Sequence, residues 1–262
     1  MTDEDDADEY DLDAGPDPAD YAAAEPEADA DDQMVHAVGI GPGNGEYLVP
    51  RCERAIREAD VVVGFETVVE YIEDLTDADL LTCGYRDEAA ALTEFADRLA
   101  AGERGTAVLM GDPNHSGYQF VGKVERAVDE ATAGTVPVHV VPGISSLQVA
   151  ASYARTPMED TEFVTLHKSG SLDDDLARLR RAVGERHLLV LPRPFDWMPG
   201  DIAADLLDHG GAPEDTALVL ERLTHDDQAI TRTTLGDLAE HVGGDGREDT
   251  PFSDLSVLAV RR

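Results

Sequence analysis

The stretch VHAVGIGPGNGEYLVPRCERAIREADVVVG, residues 35–64, decides the fold. It opens on an apolar run of strand length, Val35–Ile40, which leads into a glycine-rich turn. Val49–Ala59 then carries apolar residues at helical spacing, and a second apolar run follows at Val61–Gly64. Two strands joined through a helix run parallel, because a tight hairpin cannot join them.

The same alternation extends outward. Leu80–Thr82, Thr106–Met110 and Val136–Val141 read as strands, and Glu88–Ala101 and Tyr118–Thr132 as helices. The expected product is a mostly parallel sheet with helices on both faces. A helix from Ser145 to about Tyr153 closes this part. Arg155–Asp160 is a polar linker, since Pro157 disfavours helix just before it. A second unit follows, with strands at Glu162–His167, His187–Leu191, Thr216–Glu221, Ala229–Thr233 and Leu255–Val260. Its helical segments are Asp174–Val183, Asp201–Asp208 and Leu235–His241, and Gly243–Asp249 is a loop. The fold class is therefore α/β, with two α/β domains at residues 33–155 and 160–262.

Residues 1–32 hold fifteen Asp or Glu and no Lys or Arg. Such a segment buries too little apolar surface to offset its ordering entropy, and a disordered acidic tail is expected. A solvating extension fits its composition better than a partner-binding arm. The whole chain has a formal charge of −36, and lysine occurs only at Lys123 and Lys168. That field repels nucleic acid and anionic membranes, so neither is an expected partner. Near molar salt the screening length falls to roughly 3 Å and the self-repulsion fades. The acidity thus points to a salt-rich cytoplasm of the kind halophilic archaea have. No stretch approaches the ~20 apolar residues of a membrane span, and the acidic N-terminus lacks the pattern of a signal peptide. Cys52 and Cys83 form no metal-binding pair and are expected to be free thiols.

Three glycine-containing turns follow strands. Gly39-Ile-Gly41-Pro-Gly43-Asn-Gly45 makes a weak dinucleotide fingerprint, because Pro42 removes an amide and the helix is delayed to Val49. Its glycines also suit close approach of backbone to a large flat ligand. Met110-Gly-Asp-Pro-Asn-His-Ser-Gly117 is either an ordinary turn or a ligand loop at the carboxyl end of a parallel strand. Val141-Pro-Gly-Ile-Ser-Ser146 opens a helix, and one serine there would cap it in any fold. Three such turns on one sheet edge are harder to dismiss than one. No serine elbow, zinc-protease motif or carboxylate pair is present, and no metal ligand set or catalytic acid or base is assigned. A methyl transfer from a sulfonium needs neither, since it depends on positioning and desolvation.

Taken together these residues resemble the tetrapyrrole (corrin/porphyrin) methylase family, from about Val35 to the end. The family-wide signals are Val38-Gly-Ile-Gly-Pro-Gly43, Ala59-Asp-Val-Val-Val-Gly64, Gly111-Asp-Pro113 with Ser116-Gly117, and Val141-Pro-Gly-Ile-Ser-Ser146. Pro157-Met-Glu-Asp160, Leu166-His167 and Leu220-Glu-Arg-Leu-Thr224 are similar to the cobalt-precorrin-7 carbon-5 methyltransferases of cobalamin synthesis. Met158 stands where that group usually has Trp, and Lys168-Ser-Gly170 replaces its Gly-Arg.

The resemblance implies a cleft between two domains that binds S-adenosylmethionine, with the macrocycle over it. It implies Gly111, Asp112, His115 and Ser116 at the amino-acid end of the cofactor, with Ser145 and Ser146 on the next loop. Leu191 and Leu223 lie near the adenine by the same likeness. Pro42 touches the cofactor, Gly41 and Gly43 border the tetrapyrrole trough, and Lys168 replaces the missing arginine's charge. Arg86, Arg193 and Arg222 are unranked candidates for the substrate's carboxylates. The implied reaction converts cobalt-precorrin-7 to cobalt-precorrin-8. A homodimer is implied, as is a separate enzyme of the same pathway that methylates carbon 15 and decarboxylates. Rival readings are methylation of another ring carbon, a related methylase acting on a translation factor, and a silent binding module whose tail recruits a basic partner.

Overall fold

The computed structural model describes residues 18–23, 35–115, 117–168, 170–194, 196–243 and 250–262. The chain divides into two compact units between Ser145 and Ser146.

In the first unit a short helix α1 (Pro18–Ala23) precedes β1 (Val35–Gly39), α2 (Pro50–Glu58), β2 (Val61–Phe65), α3 (Glu66–Val69) and β3 (Asp79–Cys83). Then come α4 (Glu88–Ala100), β4 (Gly105–Leu109), α5 (Tyr118–Thr132) and β5 (Val138–Val141). The strand order is β3-β2-β4-β1-β5, and every pairing is parallel. Alternation along the strands supplies two cores. Val35, Ala37, Val61, Val63, Ala107 and Leu109 face α4 and α5, where Phe95 and Val124 are fully buried. Val38, Val62 and Val108 face the other way, onto Cys52, Ala55 and Ile56 of α2. Burying each of the Val, Leu, Ile and Phe side chains among these contributes roughly 1.5–3 kcal/mol. Helix α2 starts where Pro50 occupies its first turn, and it stops where Ala59 turns extended. Both cysteines are buried free thiols, and burial pushes Cys52 up to about 11 and Cys83 to about 12.

His36 of β1 gives this unit a built-in acid sensitivity. Arg51 Nη2 donates to His36 Nε2 at 2.9 Å, and the His139 ring stands edge-on at 6.0 Å. Burial first, then Arg51 and His139, lower the His36 pKa from 6.5 to about 4. Between those values the unfolded chain takes up a proton that the folded chain refuses. Stability is therefore full above pH 6.5 and falls as the pH drops towards 4, by roughly 3 kcal/mol at most. Urea midpoints followed across that window should slope for the wild type and flatten for His36→Gln. Parallel slopes would remove His36 from the account.

The second unit contains α6 (Ser146–Ala154), β6 (Thr161–Thr165), α7 (Asp173–Ala182), β7 (His187–Leu191) and α8 (Pro199–Asp208). It is completed by β8 (Thr216–Glu221), β9 (Ala229–Thr234), α9 (Leu235–Ala239) and β10 (Ser256–Arg261). The order is β6-β7-β10-β8-β9, with β6 and β7 parallel and the other pairs antiparallel. One face packs Val164, Val190, Val219 and Leu258 against Leu179, Ile202, Leu206 and Leu238 of α7, α8 and α9.

The two α/β units stand as the sequence reading has them, with three differences. Helix α6 packs on β7 and β10 and so belongs to the second unit, whereas the sequence reading places it before a boundary at 155. The second sheet is mixed, because β8 and β9 are joined by a short connection and β10 returns between β7 and β8. The acidic segment also does not stay wholly without structure. Pro18–Ala23 is helical, helped by proline at its first position, by alanines, and by Tyr21 packed against the first core. The rest of residues 1–32 lies outside the described residues, as do 244–249 of the expected loop.

Candidate functional site

The site grows from a feature of topology. After β1 the chain turns to α2 on one face of the sheet, and after the adjacent β4 it turns to α5 on the other. Neighbouring strands whose connections leave in opposite directions open a crevice at their carboxyl ends, where ligands of such sheets bind. All three glycine turns lie at this edge.

They are interlocked rather than merely near. Gly41 and Gly111 form an isolated antiparallel bridge, with Gly111 N donating to Gly41 O at 2.8 Å. Both are left-handed, at φ +86° and +67°, which favours glycine. Gly39 and Gly143 press on the same carbonyl. A Cβ on Gly143 would lie 2.1 Å from Gly111 O, and one on Gly39 would lie 2.3 Å from it. By contrast, a Cβ on Gly111 would meet no atom nearer than 3.7 Å, an ordinary contact distance, so this buried turn is side-chain-free but not crowded.

Asp112 follows on this face and is half-buried. Its Oδ1 accepts from Asn114 N at 2.7 Å and from Asn114 Nδ2 at 3.1 Å, while its carbonyl accepts from His115 N at 2.9 Å. One carboxylate oxygen thus shapes the turn. Burial lowers the His115 pKa, and Asp112 opposes that shift. Ser145 is buried, 6% exposed, and its backbone lies beside Gly111. Pro42 is buried and Gly43 half-buried, at φ +121°. Ser146 is half-buried and begins α6, while Ser116 lies outside the described residues. The first-unit candidates Gly41, Gly111, Asp112, His115 and Ser145 are therefore brought together.

The second unit has its own edge. Leu191 ends β7, where its carbonyl accepts from Leu166 N, and Lys168 follows two residues later with its N–H on Leu166 O. Leu223, 5% exposed, sits just past β8 between Arg222 and Thr224, both left-handed at φ 44° and 74°. Non-glycine residues held there store strain of order 1–3 kcal/mol each, and such strain concentrates at functional sites. Gln228 Oε1 accepts from Thr224 N at 2.8 Å, and Arg222 Nε pairs with Asp227 at 2.7 Å, which hold the loop. The cationic candidates have intramolecular partners: Lys168 pairs with Asp175 at 2.6 Å, and Arg193 grips Asp196 and the Gly170 carbonyl. Arg86 is exposed beyond β3, and Met158 is 53% exposed. Among the described residues no group of three or more His, Cys, Asp or Glu is placed to hold a metal ion, and no helix is long and apolar enough to cross a membrane.

Sequence reading missed Gly39 and Gly143 as lock residues, because only the fold brings them onto one carbonyl. It also missed Asn114 and Gln228, whose roles are hydrogen bonds to backbone and turn that no motif announces.

A family model described as Tetrapyrrole (Corrin/Porphyrin) Methylases matches residues 34–239. A siroheme synthase of Stutzerimonas stutzeri is 31% identical over 239 residues, covering 86% of this chain but 49% of its own length. The chain thus spans about half the length of that relative. A probable cobalt-precorrin-7 C(5)-methyltransferase of Methanocaldococcus jannaschii is 26% identical over 210 residues, covering 79% of this chain and 92% of its own. Among solved structures, uroporphyrin-III C-methyltransferase of Thermus thermophilus in complex with S-adenosyl homocysteine shares the fold. Its TM-score is 0.63 at 23% identity, covering 87% of this chain and 91% of that one. The family model covers both units' sheets as far as α9, and the glycine turns it spans are the ones locked together here. The chain belongs to the tetrapyrrole (corrin/porphyrin) methylases.

Proposed function

We propose that the chain is an S-adenosylmethionine-dependent methyltransferase acting on a corrin precursor, and that it methylates carbon 5 of cobalt-precorrin-7 to give cobalt-precorrin-8. The observation that carries the methyltransferase reading is the locked glycine crevice between β1 and β4, with Asp112 and His115 on its rim. Its residues fit the cofactor. Gly111 leaves a backbone surface without a side chain, and Asp112 offers a half-buried carboxylate suited to an ammonium group. Ser145 and Ser146 add hydroxyl groups and Pro42 an apolar surface. In the second unit Leu191 and Leu223 are apolar side chains of the kind an adenine ring packs on.

When bound, S-adenosylmethionine supplies a methyl group on a sulfonium, whose departure leaves a neutral thioether. The protein's share is to exclude water, to orient an electron-rich ring carbon, and to hold both in line. Gly41 and Gly43 border the macrocycle in this reading. Lys168, tethered to Asp175, gives the substrate's carboxylates a fixed positive charge rather than a free one. A homodimer in a salt-rich cytoplasm, working beside a separate carbon-15 methyltransferase and decarboxylase, completes the picture.

Carbon 5 is favoured by the Leu220-Glu-Arg-Leu-Thr224 run and by the Methanocaldococcus relative, which matches along 92% of its own length. A second reading, methylation of a uroporphyrin-type ring, is favoured by the 31% identity to siroheme synthase. Incubation with methyl-labelled S-adenosylmethionine and either macrocycle, in molar potassium chloride, separates them. Carbon NMR should place the label on carbon 5 of the cobalt-corrin product. Label on another ring carbon, or turnover of the uroporphyrin-type ring alone, would reject the carbon-5 assignment.

A further inference from the structure

Tyr21, in the described part of the acidic N-terminal segment, touches the glycine–aspartate turn. Tyr21 of α1 donates its hydroxyl to Asn114 Oδ1 at 3.1 Å, and its ring lies 5.8 Å from that of Tyr118, tilted by 50°. The side chain also packs on the core beneath α5. Asn114 in turn donates Nδ2 to Asp112 Oδ1 at 3.1 Å. An asparagine amide has two ends, and the Tyr21 hydroxyl occupies the acceptor end. That leaves the donor end aimed at the aspartate. A chain of two hydrogen bonds therefore runs from the tail to the carboxylate on the crevice rim.

The geometry points to Tyr21 as a positioning residue for the methyltransferase site: through Asn114 it fixes the Asp112 carboxylate that takes the cofactor's amino group. This inference rests on the cofactor assignment proposed above. It gives the acidic segment a part in the site, since a helix too short to be stable alone is retained by one aromatic anchor. Charge does not recruit it. Asp112 and Glu125 both face the Tyr21 hydroxyl and raise its pKa, after burial, so the surroundings are of like sign to the acidic segment. Molar salt screens that repulsion.

The test uses the full chain in molar potassium chloride, with Tyr21→Phe, which keeps the ring and removes the hydroxyl. Calorimetric titration is run with S-adenosylhomocysteine and with 5′-methylthioadenosine, which lacks the amino-acid end. The expected result is a three- to fivefold weakening for the first probe, about the size of one hydrogen bond, and less than twofold for the second. Asn114→Ala should weaken the first probe similarly, and the double variant should add little more. Equal weakening of both probes means a merely structural role and overturns the proposal, as does unchanged affinity. If the wild type binds neither probe, the cofactor assignment itself fails and the positioning role falls with it. Amide hydrogen exchange at Asn114–Tyr118 then still reports whether the segment docks. It should be faster in Tyr21→Ala, and unchanged rates overturn the contact itself.

Discussion

Gly143→Ala is expected to lower the stability of the first unit by about 2–3 kcal/mol and to abolish measurable cofactor binding. The new Cβ would fall 2.1 Å from the Gly111 carbonyl oxygen and 2.8 Å from Gly39 Cα, both backbone atoms that cannot swing aside. Overpacking of this kind costs about 1–3 kcal/mol even where side chains can yield. Relief requires one of these backbone segments to move, and pushing the Gly111 turn away breaks the bridge between Gly41 and Gly111 and turns the rim of the crevice. Gly45→Ala is the control, since a Cβ there meets nothing within 4 Å. It should leave both stability and affinity near wild type. Urea unfolding and titration with S-adenosylhomocysteine measure the pair. A Gly143→Ala protein with the wild-type midpoint and affinity would mean that the three turns are adjacent but not locked.

Asp112→Ala should weaken S-adenosylmethionine binding at least tenfold, about 1.4 kcal/mol. Two losses combine in that variant. The carboxylate proposed to pair with the ammonium disappears, and so does the acceptor that holds Asn114 N and Nδ2. Asp112→Asn divides them, because its side-chain oxygen still caps the turn while the charge is gone. If the ammonium contact dominates, Asn and Ala are nearly equally weak. If turn shape dominates, Asn restores most of the affinity. Wild-type affinity in a folded Asp112→Ala protein would remove Asp112 from the site.

Much of the first unit was legible because its signals are local. Helix α5 spans Tyr118–Thr132, as the periodicity indicates, and α4 ends within one residue of expectation. The four-residue α3 was missed, since a single turn shows no period. Strand direction in the second sheet was not legible either. The apolar run at Leu255–Val260 announces a strand, but nothing within it says that its partners are β7 and β8. The site shows the same divide. Each glycine turn could be read alone, and their shared edge followed from the parallel sheet. The contact of two of them with one carbonyl depends on sub-ångström packing. Likewise the positive charges of Lys168, Arg193 and Arg222 were visible, whereas their partners Asp175, Asp196 and Asp227 were not distinguishable among so many acids.

The place of β10 also bears on how the chain is made. This strand comes last in sequence, yet it lies third in a row of five. A ribosome therefore releases β6 with β7, and then β8 with β9, as two half-sheets whose inner edges have no partner. Only when Ser256–Arg261 emerges are the halves joined. The first sheet faces no such delay, because its strands are all in place by Val141. Synthesis thus completes the first unit while the second still has two open inner edges. Unpaired edges of this kind invite association between nascent chains. Until β10 emerges, both inner edges stay open to such pairing.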